Sequence, residues 1–164
     1  MDIINNKIKT PERIEQICNK LKSVGETIVT TNGSFDILHA AHIHLLEKAK
    51  AEGDCLIVLL NSDSSIKRNK GENRPIVNET ERAYMLASLS CVDYVIIFGE
   101  DKPLEILKRI KPDCHVKGGS FIDDRINEER KLVESWKGRY KTFPLEEDYS
   151  TTKIIDDILR KYGK

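Results

Sequence analysis

Two stretches of this chain, CLIVLLN at 55–61 and YVIIF at 94–98, are apolar at almost every position rather than at every second one. A strand with one wet face alternates, so unbroken apolar runs belong to strands covered on both faces, as in parallel sheets. Shorter β-rich runs stand at TIVTT (27–31), CHV (114–116) and YKTF (140–143), with helix patterns between them. Pro11 to Lys22 leads in, and Thr10 is placed to cap it. Ala40 to Ala51 carries His42, Leu45, Leu46 and Ala49 on one face, and Gly53 stops it. Asn78 opens NETERAYMLASL and Pro103 opens PLEILKRI. Ser150 or Thr151 opens the last pattern, whose stripe is Ile154, Ile155 and Ile158 and whose end is Gly163. Strands alternating with helices predict βαβ units. The expected fold is α/β: a Rossmann-like, doubly wound parallel sheet of about five strands with helices on both faces.

A chain of 164 residues suits one domain spanning 1–164, with 1–25 as a helical lead-in. Lys+Arg and Asp+Glu balance at 27 each, which argues against a nucleic-acid partner, whose usual footprint is a basic excess. A small phosphorylated ligand needs only a few local donors. MDIINNKIKT has no apolar leader core, and no run approaches bilayer length, so a cytoplasmic protein without a membrane partner is expected. Cys18, Cys55, Cys91 and Cys114 form no CxxC pair and are expected to be free thiols, at least two of them buried in strands.

Ligands of such folds bind beyond the carboxyl ends of the strands. That points to 32–42, 61–77 and 117–125, all rich in Gly, Ser, Asn, Lys or His. The longest, SDSSIKRNKGENRPIVN, has little to build a core and is expected to be a mobile lid or binding loop. The first holds TNGSFDILHAAH, in which His39 and His42 stand three residues apart around a helix start and share a face. As zinc ligands they need further donors, yet there is no HExxH, and His44, His115 and the cysteines do not cluster. As structural histidines they would need only packing, a reading that suits His44 and His115 better. As phosphate-handling groups they gain from their place, because a helix N-terminus offers free N–H groups and positive dipole character. Donors preorganised there stabilise charge that moves onto pyrophosphate as it leaves, and no covalent intermediate is needed.

TNGSFDILHAAH resembles the (T/N)GxFDxxHxGH signature of the nucleotidyltransferase superfamily. NSDSSIKRNKGENRP, VDYVIIFGEDKP, IKPDCHVKGG and YSTTKII follow in the right order, so the likeness covers nearly all of 28–155. The nearer likeness is to the adenylyltransferases that form ADP-heptose. It implies transfer of AMP from ATP, with Mg2+ held mainly by the ATP phosphates, to D-glycero-β-D-manno-heptose 1-phosphate, and it implies a homodimer. By the same resemblance His39, His42 and Lys67 are catalytic. Asn32, Gly33, Ser34, Phe35, Asn61, Asp63, Lys70, Ser150, Thr151 and Thr152 join the two histidines in nucleotide binding. Asp36, Arg74, Lys117, Gly118 and Gly119 fall to the sugar phosphate, with Asp36 expected to do mainly structural work. Arg82 also matches the pattern, as a helix-stabilising or dimer-contact residue. For Ser150 a plain helix cap is an equal role, and for Lys67, Arg68 and Lys70 a solvated loop is the alternative.

Two letters depart from the pattern: Ala41 replaces the glycine of HxGH, and Asp148 stands where a glycine is usual before STT. Cytidylyltransferases of the superfamily resemble RTEGISTT at that last motif, where this chain reads LEEDYSTT. The difference, with VKGG, favours ATP and heptose phosphate over CTP and glycerol 3-phosphate. A homologue that binds nucleotide without catalysis is the non-enzyme alternative, and Ala41 is its support.

Overall fold

A computed structural model describes residues 4–119, 124–144 and 149–163. Five parallel strands make the sheet: β1 (Ile28–Gly33), β2 (Cys55–Asn61), β3 (Tyr94–Phe98), β4 (Cys114–Gly118) and β5 (Arg139–Phe143). Their order is β3-β2-β1-β4-β5. The helices are α1 (Pro11–Ser23), α2 (Ala40–Lys50), α3 (Asp63–Lys70), α4 (Glu79–Ala87), α5 (Leu104–Ile110), α6 (Asp124–Ser135) and α7 (Thr151–Tyr162).

The unbroken apolar run of β2 serves two cores. Leu56, Val58 and Leu60 pack with Leu46 and Ala49 of α2 and Ala83, Leu86 and Ala87 of α4. Cys55, Ile57 and Leu59 point the other way, to Ile14 and Cys18 of α1, to Ile106, Leu107 and Ile110 of α5 and to Val133 of α6. Each fully buried Leu, Ile or Val among them contributes about 1.5–3 kcal/mol of transfer free energy. This is the expected doubly wound sheet. Cys18, Cys55 and Cys114 are buried and Cys91 half-buried, all unpaired, and burial pushes the Cys55 thiol up to about 12. Among the described residues no helix is long and apolar enough to cross a membrane.

Three expectations need correction. The segment 61–77 is not a mobile loop: Asp63–Lys70 is helical, with Ser62 capping it by accepting from Ser65 N–H. One apolar side chain, Ile66, anchors the helix at 2% exposure, and a single anchor leaves no periodicity to read. The rest of that segment is pinned by Asp36, whose carboxylate accepts from the N–H groups of Ile76 and Val77. Second, β1 and β4 run past TIVTT and CHV, because ladder partners continue: Asn32 opposite Leu59, Gly33 opposite Leu60, Lys117 opposite Thr142 and Gly118 opposite Phe143. Third, α6 went unpredicted; among its described side chains only Val133 and Glu129 are buried, so it lacks an apolar stripe. Residues 120–123 of the expected 117–125 ligand loop, and Asp148, lie outside the described residues.

Strand order decides where a ligand fits. From β1 the chain crosses through α2 on one face, whereas β4 is followed by α6 on the other. A crevice therefore opens between the carboxyl ends of β1 and β4, the switch point of a doubly wound sheet.

Candidate active site

The crevice is lined by the strand ends that the sequence marks as TNG and VKGG. Asn32 closes it from β1 and Lys117 from β4, the ammonium donating to Asn32 Oδ1 at 2.7 Å. Gly33 is required by its neighbour rather than by a turn. A Cβ there would meet the Phe35 ring at 3.0 Å, and Phe35, at φ +45, is folded back in the left-handed region. That conformation is uncommon for a bulky residue and is held by packing, since Phe35 is 4% exposed and its ring meets that of His42.

Phe35 leads into the N-terminus of α2, where the paired histidines sit. His39 is the N-cap residue but its side chain makes no capping bond, so the first amides of α2 lack a side-chain acceptor. The two imidazoles stack with centroids 3.8 Å apart and planes 21° apart. Among the described residues neither His39 Nδ1 nor His42 Nδ1 has a hydrogen-bond partner. Burial holds His39 below the ordinary histidine value. His42 is pushed down to about 4, by burial first and then by His39 and Lys70. Both rings are thus neutral at pH 7, a poised pair of donors beside an uncapped helix start.

Tyr149, unremarked in the sequence, stacks on the outer face of His39 with centroids 6.4 Å apart. It immediately precedes Ser150, which caps α7 by accepting from Lys153 N–H. The ring contact brings the N-termini of α2 and α7 to the same place. Ser150 is therefore a cap, and Thr151 and Thr152 follow in the first turn. Aromatic–histidine stacking was the available signal, but nothing in YSTT says which ring the tyrosine meets.

The lysines of α3 separate. Lys70 donates to Ser34 Oγ at 3.0 Å, placing its charge over the TNGS turn, whereas Lys67 is exposed. Lys70 is held below the ordinary lysine value by burial first and by Arg74 second, with Asp36 opposing.

Several residues predicted to bind ligand are engaged in holding this site together. Asp36 is fully buried, 2.6 Å from Arg74 Nε, which suits its expected structural work. Arg82 is also fully buried and donates to the carbonyls of Val77, Ser34 and Asn61 and to the Asp63 carboxylate. It ties the TNGS turn, the end of β2 and the start of α3 together, and is no surface contact. Asn61 and Asp63 serve this clasp, Asn61 Nδ2 also reaching Ser65 Oγ. On the far side Gly119, at φ +125, gives its N–H to the Phe143 carbonyl, which removes it as a ligand donor. Among the described residues no three His, Cys, Asp or Glu side chains converge as a metal cage.

The Cytidylyltransferase-like family profile matches residues 30–157, which span every feature above. The chain belongs to that family of nucleotidyltransferases. Among curated relatives, "Bifunctional protein HldE" of Geobacter metallireducens is 46% identical over 158 residues, 96% of this chain and 32% of that protein. HldE of Helicobacter pylori J99 is 47% identical over 155 residues, 92% of this chain and 31% of that one. The chain thus spans about a third of the curated relatives it matches. Among solved structures, the lipopolysaccharide core biosynthesis protein of Thermoplasma volcanium superposes with TM-score 0.62 at 31% identity, over 77% of this chain and all of that one. Pantoate-beta-alanine ligase of Francisella tularensis superposes with TM-score 0.63 at 20% identity, over 94% of this chain and 76% of that one, and shows the shared fold.

Two outcomes follow from the site as it stands. A polyphosphate beside neutral, desolvated imidazoles favours their charged form, so ATP binding should take up protons below about pH 6.5, increasingly towards the unliganded His42 value of about 4. Calorimetry at pH 5 in buffers of differing ionisation enthalpy measures that uptake, and binding without it contradicts a shift of the pair towards the charged form. Ala41, the family's missing glycine, is 4% exposed in the first turn of α2, its methyl covered by protein. Ala41→Gly should lower stability by about 1 kcal/mol in chemical denaturation and leave nucleotide affinity unchanged.

Proposed function

We propose that this chain transfers AMP from ATP to D-glycero-β-D-manno-heptose 1-phosphate, giving ADP-heptose and pyrophosphate. The observation that carries the reading is the stacked His39–His42 pair at an uncapped helix start, on the segment that follows β1, whose end Lys117 meets through Asn32. The sugar choice is supported by the likeness of the TNGSFDILH, VKGG and STT blocks to ADP-heptose-forming adenylyltransferases, and by the 46% identity to HldE.

A sugar 1-phosphate oxygen attacks the α-phosphorus of ATP, the bond from that phosphorus to the bridging oxygen breaks, and pyrophosphate leaves with the electron pair. A phosphate monoester already carries close to two charges at pH 7, with its second pKa at about 6, so the nucleophile needs no general base. That agrees with the described residues of the site, which are rich in donors and whose carboxylates Asp36 and Asp63 are both tied to arginines. His39, His42, Lys70 and the amides opening α2 and α7 meet the charge that moves onto the leaving group. Lys117 meets the acceptor phosphate from β4, and Asn32, across the crevice, meets a phosphate of the nucleotide.

Pyrophosphate release should be measured with ATP and CTP, each paired with heptose 1-phosphate and glycerol 3-phosphate. Release with ATP and heptose phosphate is the expected result. Release with CTP and glycerol phosphate would replace this reading by the cytidylyl one. Nucleotide-dependent thermal stabilisation with no release in any pairing would leave a binding protein.

A further inference from the structure

Glu129 lies in α6, far from the histidine signature, and is 3% exposed. Its carboxylate meets the Lys117 ammonium at 3.3 Å through Oε1 and 3.2 Å through Oε2, and accepts from the Tyr140 hydroxyl at 3.4 Å. Behind it stands the fully buried His115, whose Nδ1 pairs with Thr30 Oγ1 at 2.7 Å and whose Nε2 is 3.6 Å from Glu129 Oε2. A buried carboxylate is costly, and an apolar residue of similar size would pack this wall at least as well. Burial pushes the Glu129 carboxyl up, but His115 and Lys117 outweigh it, so the group is held charged below its usual value.

The consequence runs through Lys117 to β1. With Glu129 on one side, the ammonium is turned so that another of its hydrogens meets Asn32 Oδ1 at 2.7 Å. An ammonium only donates, so this contact decides the orientation of the Asn32 amide. Its oxygen faces Lys117 and its Nδ2 hydrogens are directed away from it, at the mouth of the β1/β4 crevice. Freed from Glu129, Lys117 could swing towards any anion, and the amide would lose the partner that orients it.

We propose that Glu129 is a positioning residue for adenylyl transfer: by holding Lys117 it orients the Asn32 amide so that its hydrogens meet phosphate oxygens in the crevice. The assignment rests on the reaction proposed above for what those phosphates are. The Glu129→Gln variant keeps the shape of the side chain and removes its charge. The side-chain amide signals of Asn32, recognised in 1H–15N spectra by their loss in Asn32→Ala, are followed while ATP is added without any acceptor. They should move in the wild type and stay near their free positions in Glu129→Gln. The KM for ATP should rise about tenfold, the size of one lost charge-assisted bond, with the melting temperature little changed. Lys117→Met should give the same spectrum, and adding Glu129→Gln to it should cost nothing further, as for residues acting in series. Should Glu129→Gln fail to fold, Lys117→Met alone carries the spectral comparison. A wild-type-sized Asn32 shift in either variant overturns the proposal, as does no shift in the wild type, or losses that add. An intact Asn32 response in a wild type that releases no pyrophosphate would sink the reaction and leave the positioning role standing.

Discussion

His42→Ala lowers the turnover of pyrophosphate release by about 10²–10³-fold, the cost of removing one preorganised donor from a site where charge develops. The expectation follows from geometry. The ring is fixed between His39 at 3.8 Å and Phe35 at 5.1 Å, so it needs no reorganisation when the leaving group forms. It is also held neutral, its value near 4 set first by burial. That has a measurable consequence for stability. Unfolded His42 protonates as pH falls through about 6.5, while the folded ring resists down to about 4, so the unfolded state binds more protons throughout that window. The wild type therefore has its full stability above pH 6.5 and loses up to about 3 kcal/mol as pH falls to 4. In His42→Ala this slope flattens. Turnover is read by coupled pyrophosphate release and stability by denaturant titrations at pH 5 and 7.5. A variant with full turnover removes the histidine mechanism, and an unchanged slope contradicts the burial that sets the ring's charge.

Arg82→Met destabilises the protein by about 3–5 kcal/mol, the usual cost of breaking a buried charged network by removing one partner. Four acceptors lose their donor at once: the carbonyls of Val77, Ser34 and Asn61 and the carboxylate of Asp63. Unsatisfied acceptors in a covered site are expensive, and methionine fills the space without meeting any of them. Since Ser34 belongs to the TNGS turn and Asp63 opens α3, the loss should also loosen the loop that presents Lys70. Denaturant unfolding with and without ATP separates the two effects. The midpoint falls in both, and the increment that ATP adds shrinks. A loss under about 1 kcal/mol would mean that these acceptors are served by water.

The apolar runs at 55–61 and 94–98 were legible because burial on both faces leaves its mark on every residue of a strand. The histidines and STT were legible as chemistry because each stands at a strand-to-helix junction, and the structure sets both junctions beside one another through Tyr149 and His39. Segment 61–77 was misread because a helix of eight residues with one buried apolar anchor carries no period, and its order comes from Ser62, Asp36 and Arg82. Arg82 itself reads in sequence as a helix-stabilising or dimer-contact residue. Only the convergence of three loops on its guanidinium buries it.

Local sequence determined the parallel α/β sheet and the strand-to-helix junctions at which the histidines and STT stand, since these depend on neighbours a few positions apart. Tertiary structure decided which of the candidate residues face the crevice and which are spent on holding it. Asp36 and Asp63 look like ligand groups in sequence, yet each is drawn inward by an arginine or a backbone amide from a distant segment. Glu129, in a helix the sequence did not announce, becomes part of the site through Lys117. The physical reason is the same in both cases: a buried polar group must find a partner, and which partner is near depends on how the strands are ordered in space.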